Sequence, residues 1–68
     1  MMLTAVLIPA LEGGFTALNP GTGTTTQGVS VEEALANLRE ATGLYLEEFP
    51  TTTSGQALVT TFPVAAHT

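Results

Sequence analysis

The sequence contains no cysteine and a single histidine, His67. Without cysteine the chain can form neither a disulfide nor a thiolate metal site, and one histidine cannot supply a pair of imidazole ligands. His67 is also the only candidate base for a nucleophile such as Ser30 or Ser54, and no third group completes a triad. The glutamates do not have the spacing of a paired acid–base or two-metal site. We therefore predict that the chain is not an enzyme and that it binds no metal or cofactor.

Basic residues are almost absent, because Arg39 is the only lysine or arginine, while six glutamates give a formal net charge of −5. Proteins that bind DNA or RNA draw their affinity from several lysines or arginines that neutralise phosphates. One arginine cannot provide this, so we expect no direct contact with nucleic acid. The acidic balance instead favours a basic protein as partner.

Charged residues make up 10% of the chain, against about 25% in a typical soluble domain. A monomer would expose a weakly charged surface, so we predict a homo-oligomer, either a dimer or a tetramer. The length allows one domain at most, residues 1–68, and a chain this short buries only about 60% of its unfolded surface. Its longest apolar run, residues 2–8, is too short to span a bilayer and lacks a basic flank. We therefore expect no membrane partner, and the cytoplasm is the default compartment.

Residues 30–49 carry the only strong helical pattern. Apolar side chains recur there at spacings of three and four residues, which is typical of an amphipathic helix that buries one face. The residues of this face are Val31, Leu35, Leu38, Thr42, Tyr45 and Phe49, widened by Ala34, Ala41 and Leu46. Ser30 and Glu33 have the spacing of a capping box, in which the serine side chain accepts the Glu33 N–H and the glutamate side chain accepts the Ser30 N–H. The pattern predicts one helix over residues 30–49.

Three segments before the helix have the composition of strands. Residues 2–8 form an almost continuous apolar run, typical of a strand that is central in its sheet or covered on both faces. Residues 15–19 follow a glycine-rich turn and are expected to pair with the first strand as a hairpin. Residues 24–27 are rich in β-branched side chains. After the helix, residues 57–65 predict a fourth strand, which Pro63 places at an edge because proline cannot donate a ladder hydrogen bond.

This order of elements, β-β-β-α-β, predicts an α+β fold. A right-handed crossover through the helix would place the fourth strand beside the first and parallel to it, which gives the sheet order 3-2-1-4. The helix would cover one face of this sheet, and no second helix is available for the other face. Apolar side chains on that other face would meet water, a second protomer or a partner protein, and this is the structural argument for an interaction protein.

Several short motifs occur in a fixed order: EGGFTA at 12–17, NPG at 19–21, TQG at 26–28, S-x-EEA at 30–34 and NL-x-EA at 37–41. Over about residues 2–49 the sequence resembles the HicB antitoxin domain, and residues 58–64 resemble the last strand of its short stand-alone members. The resemblance implies a truncated RNase H-like fold without a DNA-binding domain. It also implies a protein that binds and neutralises HicA, a small basic mRNA-cleaving toxin. RNase H enzymes carry metal-binding acids that begin on the first strand, and residues 2–8 contain none.

The candidate partner-binding residues are four glutamates, which supply negative charge, and one leucine that lies off the apolar face of the predicted helix. They are Glu12, Glu40, Leu44, Glu47 and Glu48. Glu47 and Glu48 lie in the last turn of the predicted helix, where the helix dipole favours cations, so they are either simply solvated or available to a basic partner. Leu44 lies off the apolar face, either as an ordinary exposed leucine or as a contact. The alternative function is an orphan HicB-like structural or regulatory oligomer that has no toxin partner.

Overall fold

The computed structural model describes residues 2–50 and 57–66. These residues form a small α+β domain in which three strands precede one helix. The elements are β1 (Val6–Pro9), β2 (Phe15–Leu18), β3 (Thr25–Gly28) and α1 (Val31–Glu48). The polar loop expected at 51–56 and the C-terminal His67 lie outside the described residues.

The three strands form one antiparallel sheet in the order β1-β2-β3, with β2 in the centre. Leu7 lies opposite Ala17, and Ala17 lies opposite Thr26, so these three residues share the sheet face that α1 covers. The turn between β1 and β2 uses Gly13 at φ 102° and Gly14 at φ 79°, conformations that glycine adopts without steric cost. The hairpin predicted from the glycine-rich turn is therefore confirmed.

The predicted fourth strand at residues 57–65 is wrong, and so is the sheet order 3-2-1-4. Residues 57–66 have no regular secondary structure, and their apolar side chains are exposed, Leu58 by 92% and Phe62 by 78%. The β-branched and aromatic composition of this segment favours a strand only where a neighbouring strand supplies hydrogen bonds and side-chain contacts. Pro63 removes one donor from any such ladder. The described residues thus lack the β-β-β-α-β topology of a truncated RNase H-like fold.

The first strand also differs from its prediction. The apolar run at residues 2–8 predicts a central strand, but β1 covers Val6–Pro9 and lies at the edge of the described sheet. Ile8 is 48% exposed. A continuous apolar run indicates that a segment tends to be buried, but it does not show which other element covers that segment. In this domain α1 packs chiefly on β3 and β2 rather than on β1.

The helix is confirmed as α1, Val31–Glu48, with Ser30 as its N-cap. Ser30 Oγ accepts the Glu33 N–H at 3.1 Å. The reciprocal bond differs from the prediction by one residue, because Glu33 Oε1 accepts the N–H of Val29 at 2.8 Å and not that of Ser30. Two side-chain hydrogen bonds therefore hold the short connection between β3 and α1.

The helix approaches β3 most closely at Gly28. A Cβ atom on this residue would lie 2.8 Å from the Cα atom of Ala34, so the contact requires glycine. Just before Gly28 in β3, Thr26 Oγ1 donates to the Ala34 carbonyl at 3.0 Å, and the Gln27 carbonyl accepts from Asn37 Nδ2 at 2.8 Å. These bonds hold α1 over β3 and leave the β1 side of the sheet less covered.

The core of the domain is small. Among the described residues its buried apolar members are Ala17, Ala34 and Leu38. The accessible surface is 5551 Å², whereas a compact monomer of 7.0 kDa exposes about 4,000 Å². The chain thus exposes about 1,500 Å² more than a compact monomer of its mass.

Candidate partner-binding site

The side of α1 that faces away from the sheet carries most of the negative charge of the chain. Counting about 100° of rotation per residue, Glu33, Glu40, Leu44 and Glu47 lie within about 60° of one another, and Glu48 borders them. All five side chains are exposed. These five residues are named the acidic stripe below.

The acidic stripe lies opposite the packed face of the helix. The buried helical residues are Ala34, Leu38 and Thr42, which recur every four positions and face the sheet. Leu44 is 58% exposed within the stripe, so an apolar side chain stands among four carboxylates. Arg39, the only arginine, lines the side of the helix toward the N-terminal residues and not the stripe. The stripe therefore presents negative charge that no basic side chain interrupts.

The structure brings together four of the five predicted partner-binding residues, Glu40, Leu44, Glu47 and Glu48, on one helix face. Glu12 is not among them. It is exposed in the β1–β2 turn, next to Gly14, whose main chain lies against Gly28 near the start of α1. Glu33, which sequence reasoning assigned only to the helix cap, joins the stripe; its spacing of seven residues from Glu40 is the signal that identifies it.

A second candidate surface lies between α1 and the residues that lead into β1. It is an apolar groove of about 340 Å³, and the residues that line it include Leu3, Ala5, Leu35, Leu38, Thr42 and Leu46. Sequence reasoning did not identify it. The predicted apolar face of the helix is broad, and a sheet with β1 at its edge leaves the Leu35 and Leu46 side of that face without a covering strand among the described residues.

Asn19 holds the N-terminal wall of the groove in place. Its side chain is 3% exposed, and Nδ2 donates to the Thr4 carbonyl at 2.8 Å. Oδ1 accepts both the N–H and the Oγ1–H of Thr22, each at 2.8 Å. One buried amide thus ties residues 2–5 to the β2–β3 turn.

Thr42 places a hydroxyl in the core beside the groove. It is 5% exposed, and its Oγ1 has no hydrogen-bond partner in the described part of the chain. Burial of an unsatisfied hydroxyl costs about 1–3 kcal/mol. Valine has the same branched shape without the hydroxyl, so we expect Thr42→Val to raise the free energy of unfolding by about 1 kcal/mol, measured by urea denaturation at a fixed protein concentration.

The matched control for this substitution is Thr42→Ser, which keeps the hydroxyl and loses the methyl group. It should lower the free energy of unfolding, because it removes apolar contact and leaves the polar group buried. A valine variant no more stable than the wild type would show that the hydroxyl finds a partner in the folded protein.

Within residues 2–50 and 57–66, no group of three or more histidine, cysteine, aspartate or glutamate side chains is arranged to hold a metal ion. The described part of the chain also has no helix with the length and apolar composition needed to cross a bilayer.

Comparisons of the chain with protein-family models, with curated protein sequences and with solved structures found no match. The HicB resemblance therefore stays a prediction, which depends on the motifs between residues 12 and 41. Those motifs have structural roles here, since they supply the Gly14 turn, the close approach at Gly28 and the Ser30 cap.

Proposed function

We propose that this chain is a protein-binding domain that covers a basic partner with its acidic stripe. The partner we propose is a small basic mRNA-cleaving toxin of the HicA type, which the chain neutralises as a HicB-like antitoxin. The observation that carries the proposal is the stripe itself, in which Glu33, Glu40, Glu47 and Glu48 surround the exposed Leu44 on one uninterrupted helix face.

Inhibition of this kind requires binding and no catalytic group. Carboxylates at the rim of an interface accelerate the encounter with a positively charged protein and orient it. An apolar side chain at the centre, here Leu44, supplies contact area that water cannot replace. A toxin bound in this way would have its RNA-binding surface occupied, because basic residues that attract phosphates also attract the stripe.

We propose further that the chain makes no direct contact with nucleic acid, because Arg39 alone cannot neutralise several phosphates. Its place of action is the cytoplasm, where mRNA and a toxin that cleaves it meet.

The test is RNA cleavage by the HicA-like protein encoded nearest to this gene, with and without a molar excess of the chain. We expect cleavage to stop and the two proteins to co-elute. The double variant Glu40→Lys/Glu47→Lys should raise the dissociation constant of the complex by at least about tenfold, because two favourable charge contacts become repulsive.

The matched control is Glu32→Lys, off the stripe, which changes the net charge by the same amount as Glu40→Lys on the stripe. Glu32→Lys should bind with nearly the affinity of the wild type, whereas Glu40→Lys should bind more weakly. Equal weakening by the two single variants would assign the interaction to net charge and not to the stripe. Unchanged cleavage with no complex would contradict the toxin partner.

The second candidate function is an orphan HicB-like structural or regulatory oligomer, a dimer or a tetramer, without a toxin partner. The observation that favours it is the accessible surface of 5551 Å² around a core of three buried apolar residues, which leaves apolar surface for self-association. A genome without a small basic gene product beside this one, together with concentration-dependent sedimentation, would favour this function over the antitoxin.

A further inference from the structure

Two apolar surfaces of this chain do not meet in the structure. One is the groove beside α1, and the other is the C-terminal segment, residues 57–66. We propose that the C-terminal segment of one copy docks in the groove of a second copy, and that reciprocal exchange of the two segments forms a homodimer.

The C-terminal segment is apolar, uncharged and exposed. Leu58, Val59, Phe62 and Val64 are between 58% and 92% exposed, and residues 57–66 contain no charged side chain. Between described residues, one hydrogen bond joins the segment to the rest of the domain, from Thr4 Oγ1 to the Ala57 carbonyl at 3.4 Å. Thr4 lines the groove. The segment thus begins at the groove of its own copy and does not fill it.

The groove lies next to a strand edge that can bind an extended segment. The Ala10 N–H donates to the Gly14 carbonyl, and antiparallel pairs alternate between hydrogen-bonded and non-hydrogen-bonded positions. By this alternation and the observed register, Val6 and Ile8 exchange hydrogen bonds with β2, while the N–H and C=O of Leu7 face the open edge. An extended peptide can bind such an edge through its main chain and place alternate side chains in an adjoining apolar groove.

Alternate side chains of the segment are apolar, as are the walls of the groove. Leu58, Phe62 and Val64 occupy even positions, which share one side of an extended chain. The groove offers Leu3, Leu35 and Leu46 among its walls. Burial of the three side chains against these walls would remove apolar surface from water on both partners.

The groove and the segment are the surfaces at which two copies can meet without bringing carboxylates together. Each copy carries a net charge of −5, so two copies that met through their acidic stripes would repel each other. The groove and the segment contain no glutamate, and Arg39 is the only charged residue that lines the groove. The area agrees with a dimer, because two copies together expose about 3,000 Å² more than two compact monomers, which lies within the range of about 2,000–5,000 Å² that obligate homodimer interfaces bury.

This inference goes beyond the toxin-binding proposal and does not depend on it, because the groove and the acidic stripe lie on different sides of α1. It assigns a surface to the self-association proposed above. The experiment below measures association of the chain with itself, in the absence of any toxin.

The experiment uses two variants, one changed in the C-terminal segment and the other changed in the groove. The segment variant Leu58→Ser/Phe62→Ser changes two exposed residues, and the groove variant Leu35→Gln changes a half-exposed residue of the wall. In sedimentation velocity over a wide concentration range, we expect a dimer for the wild type. Each variant alone should raise the dimer dissociation constant by at least about tenfold. Circular dichroism should show that both variants remain folded.

Mixing the two variants provides the decisive measurement. The segment variant retains an intact groove, and the groove variant retains an intact segment, so the mixture should form a heterodimer more tightly than either variant forms a homodimer. Leu11→Ser, at a fully exposed leucine of the β1–β2 turn that belongs to neither the groove nor the acidic stripe, is the control and should leave the dissociation constant unchanged. A monomeric wild type, a dimer that the segment variant does not weaken, or a mixture that does not associate would each overturn the exchange.

Discussion

Replacement of Gly28 by alanine is expected to destabilise this domain by about 3 kcal/mol or more, enough to abolish cooperative unfolding in a domain of this size. The new Cβ atom would lie 2.8 Å from the Cα atom of Ala34 and 2.8 Å from the carbonyl carbon of Glu33. Both neighbours are main-chain atoms of α1, so no side chain can rotate away to make room. The helix would have to move off β3, which would stretch the hydrogen bond from Thr26 Oγ1 to the Ala34 carbonyl.

The matched control is Gly43→Ala, the same change in the middle of α1. No atom lies within 4 Å of the position that its Cβ would occupy, and alanine is about 1 kcal/mol more favourable than glycine inside a helix. This variant should be more stable than the wild type. Urea denaturation at one protein concentration measures both, since self-association makes apparent stability depend on concentration. Similar stabilities for the two variants would show that α1 does not approach β3 as closely as described.

The second large effect is expected for Asn19→Ala, with a loss of about 2–4 kcal/mol of unfolding free energy. The substitution leaves the Thr4 carbonyl and the Thr22 N–H without the partner that the buried amide supplies. It also releases the N-terminal wall of the groove. Urea denaturation gives the free energy, and hydrogen exchange should show loss of protection at Thr22.

Asn37→Ala is the control for this prediction. Asn37 also donates through Nδ2 to a main-chain carbonyl, that of Gln27, at 2.8 Å, but it is exposed. Water can replace this bond when the side chain is removed, so the expected loss is about 0.5–1 kcal/mol. If the two asparagine variants lost the same stability, burial of the Asn19 network would not be the cause.

Local patterns predicted the helix and its cap because both depend on residues close in the chain. Of the face predicted from spacings of three and four residues, Leu38 and Thr42 are buried, whereas Val31, Leu35, Tyr45 and Phe49 are exposed. Ser30 lies three residues before the N–H that it accepts. Gly28 was predicted to lie just after the third strand, which ended at residue 27. Its role as the contact point between β3 and α1 depends on the position of Ala34 in space, which local patterns do not contain.

The position of β1 and the state of residues 57–66 were mispredicted for a related reason. An apolar run or a β-branched segment shows that a strand would be favourable if a neighbour were present. Whether Leu7 and Leu58 receive that neighbour depends on tertiary and quaternary contacts. The buried role of Asn19 was missed in the same way, since NPG predicts a turn and says nothing of the Thr4 carbonyl that its amide reaches.

For the acidic stripe, Glu40, Leu44, Glu47 and Glu48 were selected by charge or apolar character and were not grouped on one face, although a helix converts sequence distance directly into angle. Glu12 shows the limit of this approach. Its position relative to the stripe depends on the hairpin that carries it, and the hairpin lies near the start of α1, whereas Glu47 is about 21 Å along the helix from Glu33.

The connection between β3 and α1 consists of Val29 and Ser30, and both are held by the hydrogen bonds that Glu33 makes. A link of two residues, both fixed by hydrogen bonds, does not allow the helix to rotate about its own axis. Each residue added to or removed from it would rotate α1 by about 100°, enough to carry the carboxylates toward the sheet and the leucines toward water. The length of this link therefore decides which chemistry the domain shows to its surroundings.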